Sequence, residues 1–404
     1  MELRGKYGMA KVFTENLEPG AKDQIIELLD QDFIEGAQVR IMPDVHQGMG
    51  CVIGFTADMG DKVIPNIVGV DIGCGMLVVE LGAIEIDYST LDKIIHNKIP
   101  SGFRIHEERK YKYPRLQDLY CFRDLKDTKR FEKSIGTLGG GNHFIEIGED
   151  SKKNKFLIIH SGSRNLGKQV ADHYQKMAID LAKGNQDYYE KKQKIISHYK
   201  ETGRKKEIKK ALKELEREYK NLKPNYPKDL CFLTGKYREM YLQDMKICQD
   251  YASTNRVVMG EIIINSLFNK VIEEYPYFET IHNYINFKDN IIRKGAISAY
   301  EGEKVLIPIN MRDGSILAIG KGNPDWNYSA PHGAGRVMSR NQARERLNLK
   351  EFKKAMEGIY TTSINKSTLD EAPFAYKSME EILDSLGETV EIIDILKPLY
   401  NFKG

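Results

Sequence analysis

Cysteine is scarce in this chain. There are five in 404 residues: Cys51, Cys74, Cys121, Cys231 and Cys248. An odd, sparse set argues against a disulfide framework and for a reducing compartment, leaving room for a thiol used in chemistry. Long apolar runs are missing as well. None approaches the roughly 18 residues that a bilayer-spanning helix needs, and Met1-Glu2-Leu3-Arg4-Gly5-Lys6 lacks the apolar core of a signal peptide. No membrane partner is expected, and the expected location is cytoplasmic. Net charge is only +3, so bulk charge names no partner. Neither an internal repeat nor a clean linker breaks the chain. What is present, 41% hydrophobic and 29% charged residues, suits a globular chain long enough to bury a large core.

Residues 1–165 are rich in glycine and β-branched residues. Val52-Ile53-Gly54-Phe55, Met76 to Leu81 and Phe156 to His160 read as strands, each bordered by glycine-rich turns. The expectation is an α+β fold with many loops converging on one site. Residues 166–223 differ. Gly167 to Ala182 carries apolar residues at helical spacing. Glu190 to Lys223 holds thirteen Lys/Arg against six Glu, an excess of +7. That exceeds the excess of the whole chain, so the remainder is slightly acidic. Ile208, Leu212, Leu215, Tyr219 and Leu222 recur at spacings of four and three, a short heptad seam. Gly203 separates this seam from a stripe of Ile195, Ile196 and Tyr199, and Pro224 and Pro227 follow it. The pattern predicts a helical hairpin projecting from a single domain over residues 1–404. Two roles suit its lysines: a solvated arm that maintains solubility, or a clamp on RNA phosphates driven by counterion release. Helices are predicted over 230–270, 332–360 and Ser378 to Leu386, and strands over 290–320.

The nine histidines divide into two groups. His96, His106, His173 and His198 lie among ordinary charged or helical residues. His46, His143, His160, His282 and His332 lie in Gly/Asn/Ser-rich loops, where glycine allows backbones to approach closely. Gly69-Val70-Asp71-Ile72-Gly73-Cys74-Gly75 adds a carboxylate and a thiol three residues apart in a tight turn. A thiolate can bridge two ions. Asp71, Cys74 and three of the imidazoles supply enough ligands for two divalent ions with positions left open for substrate. Ligand type alone suggests zinc, which outcompetes manganese by intrinsic affinity, and the sequence excludes neither. Thr137-Leu138-Gly139-Gly140-Gly141-Asn142 is a glycine-rich loop able to cradle a phosphate. If His332 is not a ligand, a neutral imidazole there is a competent nucleophile beside a bound phosphate. Arg336 is then placed to neutralise phosphate charge as a bidentate donor.

These runs together resemble the RtcB family of RNA ligases. The resemblance rests on Pro43-Asp44-Val45-His46, Gly69 to Gly75, Gly136 to Gly139 with Gly141 to Glu146, and His160-Ser161-Gly162-Ser163-Arg164. It continues through His282-Asn283-Tyr284, Arg293 to Ala296, Ser329 to Arg336, Glu371-Ala372-Pro373 with Ala375-Tyr376-Lys377, and Lys403-Gly404. It implies that Asp71, Cys74, His143, His160 and His282 hold two manganese ions, with Cys74 bridging and Asp44 beside the site. It makes His332 the residue that takes up GMP. Asn142 is implied to contact the nucleotide phosphate, Phe144 to stack on guanine, Glu146 to accept from its N–H groups, Tyr376 to pack on the base, and Lys403 to reach the same pocket. His46 is not implied as a ligand.

The implied activity is GTP-dependent joining of an RNA 3′-phosphate or 2′,3′-cyclic phosphate end to a 5′-hydroxyl end, in tRNA splicing or RNA repair. Some members work with archease. Two local departures stand out. After Leu306-Ile307-Pro308 comes Ile309-Asn310-Met311-Arg312-Asp313-Gly314-Ser315, so the family's nucleotide-contacting serine reads as Asn310, or its role has moved to Ser315. Lys321 to Tyr328 before the His332 loop is also unusual. Two competing functions remain: a metal-dependent phosphodiesterase or phosphatase on RNA ends, and a non-catalytic RNA-binding relative.

Overall fold

The computed structural model describes every residue except 185 and 220–222. The fold is mixed α+β. A seven-stranded sheet runs in the order Lys304–Asn310, Gly314–Gly320, Val390–Lys403, Phe144–Glu149, Lys155–Ser161, Gly75–Gly82 and Tyr277–Ile281. A six-stranded sheet runs in the order Glu2–Arg4, Met9–Val12, Val39–His46, Ile53–Asp58, Ile291–Lys294 and Asn283–Ile285. Ala296–Ser298 pairs with Ser329–Pro331 as a short ribbon. Apart from the parallel pair Met9–Val12 and Val39–His46, the paired strands are antiparallel.

The central strand Lys155–Ser161 is buried along its whole length, with Leu157 and Ile159 on one face and Phe156 and Ile158 on the other. A strand covered on both sides needs a continuous apolar run and does not alternate. The helix Gly235–Phe268 covers the face carrying Leu77, Leu157 and Ile159, through Met259, Ile263 and Ile264. Consecutive polar residues, Asn255 and Arg256, are fully buried in the same helix.

The lysine-rich region contains the helices Arg164–Ala182, Gln186–Glu201 and Ile208–Glu218. Leu215 is buried, and Ile208, Leu212 and Tyr219 are half-buried. The Tyr219 ring meets Tyr188 edge-on at 5.3 Å. Leu222, the last seam position, lies outside the described residues. The strand expectations over 290–320 and the helix over Ser378 to Leu386 agree with the structure, which places helix at Met379–Leu386. The helix expected over 332–360 does not form as one element. Only Arg340–Arg346 and Leu349–Ala355 are helical, and residues 332–339 form a loop. Gly335 has φ +74°, and a Cβ there would collide with the backbone of Asp44. That close approach holds the loop off a helical path.

Among the described residues, no helix is long and apolar enough to cross a membrane.

Candidate metal and nucleotide site

Sheet register assembles most of the site. Met76 and Phe144 both pair with His160, from opposite sides, and Gly75 pairs with Ile281. Cys74, His143 and His282 each lie one residue beyond one of these paired positions. Four predicted ligands therefore gather at one end of four adjacent strands. Asp71 enters from the preceding turn, where the Cys74 N–H donates to the Asp71 carbonyl at 3.1 Å. Its carboxylate accepts from the Ser163 N–H at 3.0 Å. A Cβ on Gly162 would run into that carboxylate, so only glycine allows the approach.

The five side chains form two overlapping groups, Asp71–Cys74–His143 and Cys74–His160–His282, with Cys74 common to both. Cys74 Sγ is 3.5 Å from His143 Nε2 and 3.3 Å from His160 Nε2. His160 Nε2 is 3.4 Å from His282 Nε2, and His143 Nε2 is 3.1 Å from an Asp71 oxygen. Bonds of about 2.1–2.3 Å to one tetrahedral ion give donor–donor edges of about 3.4–3.6 Å, so the spacing suits divalent ions. Backbone carbonyls set the tautomers. His143 Nδ1 meets the Leu138 carbonyl at 2.8 Å and His160 Nδ1 the Asn142 carbonyl at 3.2 Å, which leaves each Nε2 lone pair free.

Burial pushes the His160 and His282 imidazoles well below their usual range, keeping them neutral. Burial also raises the Cys74 thiol. For Asp71, burial acts to raise the carboxyl, but the hydrogen bond and charge of His143 hold it below its usual value.

Two residues that the sequence reading did not single out support these loops. Arg256 donates from Nη1 to the carbonyls of Gly73 and Ser161, at 2.8 and 2.9 Å, and from Nε to Glu279 at 2.7 Å. Asn255 accepts from the N–H groups of Gly136 and Thr137 and donates to Thr137, Ser161 and Gly162. The available signal was a polar pair inside the apolar stripe formed by Tyr251, Ala252, Met259 and Gly260.

His332 follows the strand Ser329–Pro331, and its ring centroid is 4.8 Å from that of His282. Its Nδ1 is 2.6 Å from an oxygen of fully buried Asp44, which also accepts the His332 N–H at 3.1 Å. A carboxylate only accepts, so Nδ1 carries the proton and Nε2 is free. His46 contacts the Asp44 carbonyl through Nδ1 at 2.9 Å and lines the adjoining cavity rather than joining either ligand group.

That cavity, about 710 Å³, is bordered by His332, His160, Asn142, Phe144, Glu146, Ser315, Arg336, Tyr376 and Lys403. Its size suits a nucleotide-sized ligand. Three buried atoms in its walls have no hydrogen-bond partner: Glu146 Oε1, Ser315 Oγ and Asn401 Oδ1. Burial raises Glu146 to about 7, against the opposing hydrogen bond from Asn401 and the charge of Lys403. Asn310 is occupied elsewhere. Its side chain donates to Asp313 at 2.8 Å and accepts from the N–H groups of Arg312 and Asp313 at 2.9 Å.

Glu371 organises the opposite wall. Its carboxylate accepts from Lys403 at 2.9 Å, Tyr376 at 2.7 Å and Arg340 at 2.7 Å. Burial opposes ionisation there, but Lys403 and Arg340 hold the group down to about 2. Lys403 also lies 5.1 Å from the Phe144 ring centroid. Arg336 spends its donors inside the wall, on the carbonyls of Met338 and Asp370, on Glu371 and on the Tyr376 hydroxyl. Glu371 belongs to a quoted run but had no assigned role, and Asn401 carried no sequence signal.

A thiol–imidazole–carboxylate cluster beside an anchored imidazole, opening on a nucleotide-sized cavity, has the makings of a metal-assisted group-transfer site. The chain belongs to the RtcB family: the family profile described as "tRNA-splicing ligase RtcB" matches residues 24–124 and 121–404. The chain is similar to "RNA-splicing ligase RtcB1" of Escherichia coli strain ATCC 25922, with 29% identity covering 98% of this chain and 97% of that protein. It is also similar to "RNA-splicing ligase RtcB" of Escherichia coli K12, at 28% identity over the same shares. "tRNA-splicing ligase RtcB" of Aeropyrum pernix is 26% identical, covering 90% of this chain and 89% of that protein.

Proposed function

We propose that this protein is an RNA ligase that joins 3′-phosphate or 2′,3′-cyclic phosphate ends to 5′-hydroxyl ends through a GMP–His332 intermediate. The observation that carries the reading is the anchored ring of His332, whose Nδ1 proton is held by Asp44 while Nε2 stays free beside the nucleotide-sized cavity. Asp71, Cys74 and His143 would hold one divalent ion and Cys74, His160 and His282 the other, with Cys74 shared. Bound there, two manganese ions would neutralise phosphate charge and stabilise the transferring phosphoryl group.

Three transfers follow. His332 Nε2 attacks the α-phosphorus of GTP; a P–N bond forms, the bond to the pyrophosphate oxygen breaks, and pyrophosphate leaves. Asp44 stabilises the ring as it gains positive charge. Next, an oxygen of an RNA 3′-phosphate attacks the same phosphorus, and the P–N bond breaks to return His332 and give an RNA-ppG end. A cyclic phosphate is first hydrolysed to the 3′-phosphate. Finally a 5′-hydroxyl attacks the RNA 3′-phosphorus, loses its proton and displaces GMP.

Within the cavity, Phe144 offers a face for guanine. Glu146 and Asn401 offer unpaired oxygens for its N–H donors, and Ser315 offers a hydroxyl. Asn142 contacts the nucleotide phosphate, Tyr376 packs on the base, and Arg336 adds positive charge to the wall. Lys403 bridges Glu371 and Asn142 at the rim. Residues 1–404 act as one RtcB-like domain in the cytoplasm, with 166–223 as a helical hairpin insertion that contributes RNA phosphate contacts. Archease is the candidate accessory protein.

The test is incubation with α-labelled GTP and Mn²⁺. The protein acquires acid-labile label, and His332→Ala abolishes it. Removal of terminal RNA phosphate without labelling would instead identify a phosphodiesterase or phosphatase. RNA binding with neither signal would identify a non-catalytic relative.

A further inference from the structure

A second cleft, of about 610 Å³, adjoins the loop that carries His143. The nucleotide-sized cavity reaches this loop at Asn142, and the second cleft reaches it at Gly140 and Gly141. The new cleft is lined by Phe103, Arg130, Arg164, Asn165 and Lys168, with Asp127 as its single carboxylate. Lys168 is paired with Asp172 at 2.5 Å, which leaves the guanidinium groups of Arg130 and Arg164 against the one lining carboxylate, a balance that still favours a polyanion. Arg164, Asn165 and Lys168 of the cleft lie in the first turns of the helix Arg164–Ala182, which has no side-chain cap, and the helix dipole adds to the positive field there.

Phe103 is the unusual member. Its side chain is 100% exposed, more than any other large hydrophobic residue described. It sits at the tip of a turn closed by the Arg104 N–H donating to Ser101 at 3.2 Å. That turn is tied to the glycine-rich loop, because the Gly102 N–H donates to the Gly139 carbonyl at 2.7 Å and Ser101 bridges Gly139. Arg164 clamps the same turn from beneath, donating to the Gly102 carbonyl at 3.0 Å. Arg164 itself takes φ +56°, an uncommon conformation for a side chain of its size. The backbone thus holds an aromatic ring in solvent, next to cations and on the segment leading to His143. A bare ring among cations is how a protein binds single-stranded nucleic acid: bases stack on the ring and phosphates meet the cations.

We propose that this cleft binds the terminal nucleotides of a single-stranded RNA end, with Phe103 as the base-stacking platform. The proposal rests on the ligase reading and adds the route by which RNA reaches the centre: the nucleotide meets the 139–143 loop at Asn142 and the RNA meets it at Gly140 and Gly141.

The test measures anisotropy with labelled oligoribonucleotides, one ending in a 5′-hydroxyl and one in a 3′-phosphate, assayed separately. Phe103→Ala is expected to lose about tenfold in affinity for at least one strand, and the strand affected identifies which end the cleft takes. Phe103→Trp restores binding. Arg130→Ala reduces the salt dependence of binding by about one ion, whereas Phe103→Ala leaves it unchanged. GMP uptake, which needs no RNA, serves as the control for folding. Equal affinity of Phe103→Ala and the parent for both strands overturns the proposal, and a loss that Phe103→Trp does not rescue overturns the stacking role. If the parent takes up no GMP, the ligase reading fails; the comparison of RNA affinities still decides the cleft.

Discussion

Asp44 and His332 lie 288 residues apart in the chain, yet one carboxylate oxygen of Asp44 accepts both the ring Nδ1 proton and the backbone N–H of His332. The pairing fixes both the ring's orientation and its tautomer. Asp44→Ala should slow GMP uptake by about a hundredfold or more, since an imidazole in the wrong tautomer presents no lone pair. Metal content should be unchanged, because Asp44 belongs to neither ligand group. Single-turnover labelling with quantified bound metal checks this. Labelling at the parental rate would remove Asp44 from the mechanism.

The shared position of Cys74 predicts an asymmetry in metal loss. Elemental analysis after Mn²⁺ loading and desalting should find about two ions in the parent and about one in His282→Ala. Cys74→Ala should retain neither. Equal retention by the two variants would show that the thiol does not bridge.

The Glu146 carboxyl, raised by burial to about 7, makes stability depend on pH. Its folded value exceeds the unfolded one near 4.5, so its contribution is fully present below about 4.5 and is lost as pH rises through 7. Glu146→Gln removes this titration. The variant should gain on the parent by about 3 kcal/mol between pH 4.5 and pH 8.5, measured by urea denaturation. A constant difference across that range would show that the carboxyl titrates normally. Glu371 has the opposite sign. Held down to about 2 by Lys403 and Arg340 against its burial, it contributes stability above about 4.5 that is lost as pH falls toward 2.

Arg256→Met should cost about 3–5 kcal/mol in the same assay, because it strands a partly buried Glu279 and two buried carbonyls. A loss below about 1 kcal/mol would mean that the loops around Cys74 are held by other contacts.

Much of the clustered side-chain set was legible before the fold, because Asp71, Cys74 and the loop histidines stand in short glycine-rich runs whose composition has few other uses. The hydrophobic periodicity of Gly167 to Ala182 and of 230–270 likewise marked real helices. Other features depend on neighbours distant in sequence. The helix expected over 332–360 forms only in part because the close approach of Gly335 to the Asp44 backbone exists only after the sheets meet. Asn401 becomes a site residue only because Val390–Lys403 pairs with Phe144–Glu149 and sets it opposite Glu146. The different surroundings of Asn310 and Ser315 also appear only in the folded chain. Asn310 is consumed by its own turn, whereas the Ser315 hydroxyl is buried at the cavity without a partner.

The strand register around His160 bears on the order of assembly. Because side chains alternate across a strand, a slip of one residue along Lys155–Ser161 would turn His160 to the opposite face and separate it from Cys74. The group Cys74–His160–His282 spans positions 74 to 282 and cannot close while the strand Tyr277–Ile281 is still missing. The complete five-residue cluster is thus a product of the zipped sheet, and its geometry is a certificate that four strands have met in the right alignment.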